Sequence, residues 1–245
     1  MFECLNIRLE LLRHDDLLVA LSYNGLGMAV GTQECYEEGI RWLLKAREVY
    51  EGPAGEIPSR KLVWGYNIAR NYYCMGRYDK AEIRLIEALE IADKLQSWYM
   101  QVYGHLAFAS LRTRTNEIDD AKRHVDVAKE ILEASGSVAR FSWLSSYCAY
   151  RAGNVAMKQD RFSEAIEETE RSAVIGRLVK VPTGILARCV HAYSKALATD
   201  PSRQKESERQ RVEARRLRST LPEGGGDLDD ESDEAFERLV KMDHR

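Results

Sequence analysis

The 245-residue sequence predicts an all-α fold built from stacked pairs of antiparallel helices that repeat every 40 to 44 residues. Three observations carry this expectation. Only 5 prolines and 16 glycines punctuate the chain, so long helices are permitted nearly everywhere. A fixed arrangement of large and small residues recurs four times, and its small members Gly39, Ala81, Ala121 and Ala165 stand 42, 40 and 44 positions apart. Short polar turns such as Met75-Gly76-Arg77 and Gln159-Asp160-Arg161 separate the apolar runs, and loops of that length make neighbouring helices antiparallel.

The chain opens on Cys4-Leu5-Asn6-Ile7-Arg8-Leu9, which aligns with Ala88-Leu89-Glu90-Ile91-Ala92-Asp93 in a complete pair. Residues 1–15 therefore read as a partial repeat, a second helix alone, with Phe2, Leu5 and Leu9 uncovered. That reading points to a chain cut from a longer array, or to self-association through the open N-terminal helix.

Residues 16–198 hold four repeats and the first helix of a fifth. In the first, Tyr23, Leu26 and Gly27 lead to Tyr36, Gly39, Leu43 and Ala46. The second runs from Gly65 to Tyr72, then through Gly76, Tyr78 and Ala81 to Leu85 and Ala88. Phe108 and Ala109 lead to Ile118, Ala121, Val125 and Ala128 in the third, and Ala152 and Gly153 to Phe162, Ala165, Thr169 and Ser172 in the fourth. The small residues let two backbones approach, and the large one fills the space beside them. Pro182 opens the next helix, to about Ala198, with Ile185, Leu186, Cys189, Val190, Tyr193 and Leu197 on one side.

Asp200-Pro201 supplies an N-cap and a first-turn proline for a basic capping helix within residues 199–220, whose apolar residues include Val212, Ala214 and Leu217. Residues 221–245 read as an acidic, largely disordered tail with a short helix around Glu234 to Val240.

The net charge of -3 conceals an asymmetry. Residues 1–200 carry 26 basic and 27 acidic groups, residues 201–220 carry 7 and 3, and residues 221–245 carry 3 and 9. The basic stretch from Arg203 to Arg218 could contact nucleic acid, but Glu206, Glu208 and Glu213 interleave it as on an ordinary exposed helix. An intramolecular contact with the acidic tail also accounts for its charge. Five cysteines, Cys4, Cys35, Cys74, Cys148 and Cys189, lie far apart within apolar patterns and read as buried, reduced thiols of a cytoplasmic protein. No apolar run approaches the ~20 residues of a membrane span.

Chemistry finds little support. Gly25, Gly27 and Gly31 lack the third glycine of a dinucleotide fingerprint, because Val30 stands there. No glycine is followed by lysine, which excludes a P-loop. The histidines show no zinc-helix pairing, and His105 reads as a packed interface residue. The acidic run from Asp227 has Ser232 where a calcium loop needs glycine and Arg238 where it needs glutamate. No catalytic residue, cofactor or metal is expected, and the protein reads as non-enzymatic.

The recurring frame resembles the tetratricopeptide repeat (TPR). Its spacing exceeds the 34 residues of an ordinary TPR. With phrases such as Ala88-Leu89-Glu90-Ile91-Ala92 it is similar to the long-repeat subtype of kinesin light chains and of C-terminal TPR arrays in fungal NB-ARC/NACHT proteins. The resemblance covers roughly residues 1–198 and implies a TPR superhelix, an α-solenoid whose first helices line a concave groove. Carried onto this sequence, it implies a peptide-binding groove of Asn24, Tyr66, Asn67, Arg70, Tyr73, Arg114, Tyr150, Arg151, Asn154 and Lys158, flanked by Met28, Tyr103, Ser110 and Tyr147.

Asparagine can bond both sides of a peptide unit, arginine suits carboxylates, and tyrosine offers rigid apolar area with a polar tip. The carboxylate clamp of chaperone-binding relatives requires lysine where Asn24 stands, which argues against a chaperone C-terminus as ligand. The expected function is a protein–protein interaction scaffold or adaptor that binds a partner peptide or helix in this groove, with no membrane or nucleic-acid partner. The alternative is a sensor or regulatory TPR array belonging to, or detached from, a STAND-type (NB-ARC/NACHT) signalling ATPase.

Overall fold

A computed structural model describes residues 2–52, 57–136, 142–221, 227 and 229–239. Among these residues there are twelve α-helices and no strand. The chain divides into two compact units, residues 1–104 and 105–245. In the first, α1 (Phe2–Leu11) precedes the pair α2 (Leu17–Thr32) and α3 (Tyr36–Tyr50) and the pair α4 (Pro58–Cys74) and α5 (Tyr78–Lys94). Helix α6 (Trp98–Arg114) spans the sequence boundary. The second unit continues with α7 (Ile118–Ala134) and the pair α8 (Trp143–Lys158) and α9 (Phe162–Leu178). It ends with α10 (Thr183–Leu197), a 3-10 turn at Pro201–Arg203, α11 (Gln204–Ser219) and the short α12 (Asp233–Arg238).

Pairing rests on the small residues of the recurring frame. A Cβ on Gly27 would lie 2.6 Å from Leu43 Cγ and 2.8 Å from the Gly39 carbonyl, and one on Gly39 would lie 2.7 Å from the Gly27 carbonyl. Helices α2 and α3 thus meet backbone to backbone. Gly65 repeats the device against Ala88 at 3.1 Å, and Gly153 repeats it against Thr169 Cγ2 at 2.4 Å. In the third pair alanines serve, and Ala109, Ala121 and Val125 pack with Ala152 and Val155 of the next repeat. Larger side chains fill the flanks: in the first unit Trp64 is buried among Ile40, Leu43, Ala46 and Ile68, and its indole N–H donates to the Leu43 carbonyl at 2.7 Å.

The turns share one geometry. Seven helix ends place a left-handed residue two positions past the last helical one: Glu34, Gly76, Gln96, Asn116, Gly136, Asp160 and Lys180. At six of them the next N–H bonds the carbonyl five residues back, as Arg77 does with Tyr72 at 2.9 Å and Arg161 with Ala156 at 2.9 Å. This Schellman closure satisfies the last carbonyls and reverses the chain in three residues. Only two of the seven are glycine, so the fold tolerates the cost of about 1–2 kcal/mol that an L-residue bears in this conformation.

Several expectations are corrected. Leu5 is not uncovered, because it packs on Val19 and Leu26 of α2. Leu9 is partly buried against the same cluster, Phe2 is exposed as expected, and Ile7 and Leu11 are exposed with it. Of the cysteines only Cys148 and Cys189 are buried; Cys4 and Cys35 are exposed because they occupy the outer side of α1 and the turn before α3. Val212, counted with the apolar residues of the basic helix, is exposed, and Ser207, Ala214, Leu217 and Arg218 are the residues α11 buries. The short helix expected around Glu234 to Val240 is α12 at Asp233–Arg238, and it is docked, with Ala235 and Phe236 buried. Tail residues 222–226, 228 and 240–245 lie outside the described residues.

Two glycine substitutions separate the roles of packing and backbone conformation. Gly39→Ala forces a methyl against the Gly27 carbonyl and is expected to cost about 1–3 kcal/mol. Gly76→Ala has open space around it, so only its φ of 71° penalises the change, and about 1 kcal/mol is expected. Urea midpoints measure both, and a Gly39→Ala loss no larger than that of Gly76→Ala would contradict the backbone contact.

Candidate functional site

In the first unit, the inward side chains of α2, α4 and α6 form a hydrogen-bonded chain. Asn67 Nδ2 donates to Asn24 Oδ1 at 3.1 Å, and Asn71 Nδ2 donates to the Asn67 carbonyl at 2.9 Å. The Arg70 guanidinium lies 5.2 Å from the Tyr103 ring centroid. Tyr103 meets Tyr66 edge-on at 5.1 Å, and Tyr66 donates its hydroxyl proton to the Met100 carbonyl at 2.9 Å. Burial pushes the Tyr66 phenol well above its ordinary pKa. Tyr66 and Asn67 are therefore buried joints between helices, whereas Asn24, Arg70 and Tyr73 remain partly accessible. The Tyr73 ring leans on Tyr78 at 5.9 Å.

The second unit holds a charged cluster between α8 and α10. Arg188 is 1% exposed and Arg151 7%. The Arg188 guanidinium lies 4.4 Å from the Tyr150 ring centroid, and that of Arg151 lies 5.0 Å from the Tyr147 ring. Planar cations layered on aromatic rings can stay charged away from bulk water, because the rings' negative faces replace part of the lost hydration. Arg151 Nη2 also donates to the Tyr147 hydroxyl at 3.2 Å.

What these cations face is the chain's own tail. Glu237 of α12 accepts from Arg188 Nη1 at 3.0 Å and from the Tyr150 hydroxyl at 2.5 Å, and Arg151 Nη1 lies 3.6 Å away. One turn earlier, Asp233 accepts from Lys195 at 2.5 Å and lies 3.1 Å from His191 Nε2. Phe236 is 1% exposed and stacks flat on His191 with centroids 3.9 Å apart. Arg218 of α11 donates to the backbone carbonyls of Asp227 and Asp230, and Arg211 and Arg215 pair with Glu231. A Cβ on Gly184 would lie 2.3 Å from the Leu239 carbonyl, so glycine is what admits the tail backbone there.

The sequence-derived groove divides accordingly. Tyr150 and Arg151 meet the tail directly, and Arg114 lies 3.6 Å from Glu234. Asn154 is half-buried and Lys158 exposed near the end of α8, and neither bonds the tail among the described residues. Arg188, His191 and Lys195 were missed, because α10 reads first as an apolar helix. The available signal was their i, i+3, i+7 spacing, which places three basic groups on one face.

Other titratable groups lie close together elsewhere among the described residues. His105 and His124 bring their Nδ1 atoms within 2.9 Å, and burial, followed by the neighbouring His105, lowers His124 to about 4. No group of three metal-ligating side chains forms among the described residues. Cys148 lines a cavity of about 290 Å³ with Lys129 and Glu168, yet burial pushes its thiol up to about 12, which denies it thiolate character near neutral pH. No helix among the described residues is long and apolar enough to cross a membrane.

The tail contact carries a pH signature. Burial alone would raise the Glu237 carboxyl, but the charges of Arg188 and Arg151 and the bonds from Tyr150 and Arg188 outweigh it and hold it at about 2. A carboxylate depressed below its unfolded value of about 4.3 stabilises fully above that pH and loses its contribution as pH falls through the folded value. The Tm difference between the unmodified chain and Glu237→Gln is expected to be constant above pH ~5 and to close towards pH 2. A gap independent of pH would refute the ionised contact.

No protein-family model matches the sequence, and no curated protein does either. Solved structures do. BtubC (BKLC) from P. vanneervenii is 13% identical, with a TM-score of 0.69 over 83% of this chain and 81% of that one. A variant of the Podosopora anserina putative kinesin light chain with nearly identical TPR-like repeats is 14% identical, with a TM-score of 0.60 over 81% and 93%. A Rap protein, solved in complex with competence and sporulation factor, is 17% identical, with a TM-score of 0.61 over 91% of this chain but 62% of that one. At these identities the likeness is one of fold, and the fold of this chain is the all-α, TPR-like solenoid fold shared by kinesin light chain-like and Rap repeat proteins.

Proposed function

We propose that the protein is a non-enzymatic interaction scaffold in which the first helices of each unit, α2 and α4 in the first and α8 and α10 in the second, present a surface that takes a peptide or helix of a partner protein. One observation carries the reading: the face of α8 and α10 already holds a helical peptide segment, α12, by its carboxylates and one aromatic ring. Arginine and tyrosine recur on α4 in the first unit, beside Asn24 of α2. The Rap protein of similar fold, captured with competence and sporulation factor, supports a ligand-holding role for such a scaffold. Repeat folds serve many ends, so the residues of the face, not the fold, determine what is bound.

Substitution by photo-reactive benzoyl-phenylalanine tests the face directly. Placed at Tyr73 or Lys158 on first helices, it is expected to yield discrete partner adducts in extracts of the native cells. Placed at Ile83 or Val174, both 54% exposed on second helices, it is expected to yield none. Equal adducts at all four positions would sink the assignment.

A further inference from the structure

We infer that the face formed by Tyr150, Arg151, Arg188, His191 and Lys195 is a receptor for a short acidic helix of a partner protein carrying an Asp-x-x-Phe-Glu register, and that α12 is a tethered occupant which such a helix displaces. This rests on the scaffold reading above and names its ligand class.

The two sides match position by position. Helix α12 runs antiparallel to α10: Asp233 meets Lys195 and His191, Phe236 meets His191, Glu237 meets Arg188, and the Leu239 carbonyl meets Gly184. On the tail the contacts recur at i, i+3 and i+4, one face of a helix. On α10 they recur at i, i+4, i+7 and i+11. Any helix with a carboxylate, an aromatic ring and a second carboxylate on one stripe fits the same register.

The chemistry of the receptor favours an anion. Arg188 and Arg151 are brought together by the packing of α8 and α10, and the Glu237 carboxylate, 3.0 Å from Arg188 Nη1 and 3.6 Å from Arg151 Nη1, offsets one of their two charges. An uncompensated buried charge is strongly destabilising, so an occupant that leaves must be replaced by another anion or by water. The aromatic position is as specific: Phe236 lies flat on His191, with the Arg218 guanidinium 5.4 Å from its ring. Charge complementarity extends past the contact, with residues 221–245 carrying 9 acidic and 3 basic groups and residues 201–220 carrying 3 and 7.

The occupant itself is short. Its described helix has six residues, and of these Ala235 and Phe236 are buried, while Asp233 and Glu234 keep more than half of their side-chain surface in solvent. A helix that short has no stability of its own and persists only through its contacts. A tethered ligand competes at an effective concentration on the order of millimolar, which excludes weak acidic segments and admits only a partner that matches the register.

The probe is a fluorescein-labelled peptide with the sequence of residues 229–239, titrated by anisotropy against the full chain. The Phe236→Ala/Glu237→Gln chain, whose own tail is loosened, is expected to bind it at least tenfold more tightly than the unmodified chain, and adding Arg188→Met is expected to abolish that gain. Equal binding to both chains, or to neither, would overturn the proposal and make α12 a permanent part of the fold. Hydrogen exchange on the unmodified chain guards against a misfolded variant. Excess peptide is expected to speed exchange at the amides of residues 233–239, and unchanged exchange overturns displacement.

Sedimentation of the unmodified chain is expected to show a monomer. A dimer dissolved by Phe236→Ala/Glu237→Gln would place α12 in a second copy and overturn the tethered arrangement. If first-helix cross-links form while the peptide fails, this inference falls and the scaffold reading stands. Peptide binding without any partner cross-link has the reverse meaning.

Discussion

Helices α2 and α3 approach until the Gly27 and Gly39 backbones touch, and every later feature of the molecule depends on that kind of contact. Neither position admits even a methyl group without displacing a carbonyl. Gly65 against Ala88 and Gly153 against Thr169 repeat it. Close approach fixes which side of each helix is buried in its pair, and the recurring left-handed turn returns the chain at a constant place. The first helices of successive repeats consequently turn comparable faces away from their partners. Side chains that are distant in sequence, such as Arg151 and Arg188, then meet without any local reason to do so.

That meeting creates an electrostatic demand. Two guanidiniums almost fully removed from water would repel each other, and each would lose more hydration than a single hydrogen bond returns. Layering on Tyr147 and Tyr150 lessens the cost, and Glu237 offsets one of the two charges. In the proposed reading the cluster is a receptor as well as a brace. Its geometry defines the charge, the spacing and the aromatic companion of whatever occupies it. The paired basic and acidic ends of the chain follow the same logic, since α11 holds the tail backbone through Arg218 and the side chain of Glu231 through Arg211 and Arg215.

Much of this was legible in the residues themselves. The frame that places Gly27, Gly65 and Gly153 opposite small partners follows from the periodicity of packed helices, and so do the turns at Gly76 and Asp160. Tyr150 and Arg151 were legible as candidate contacts because they repeat the positions of Tyr66 and Asn67 two repeats along. Burial was harder to read. Tyr66 and Asn67 occupy the same frame yet serve as joints between helices, since a neighbouring helix covers them, and no single-helix pattern states how far a neighbour reaches. Arg188 and His191 escaped because an apolar stripe dominates α10, and a cation inside such a stripe reveals its purpose only once its counter-charge is located.

The sequence by itself determined the helical pairs, their length near 40 residues, the turns between them and the charge asymmetry of the last 45 residues, because each of these is a local or strictly repeating property. Tertiary structure alone decided that the acidic tail folds onto α8 and α10, and which basic residues receive it. The contact joins residues about 40 to 90 positions apart through charge and ring stacking, and the basic spacing on α10 does not say which segment meets it. Composition makes an acidic segment soluble, and only the arrangement of a complementary surface makes six of its residues a helix.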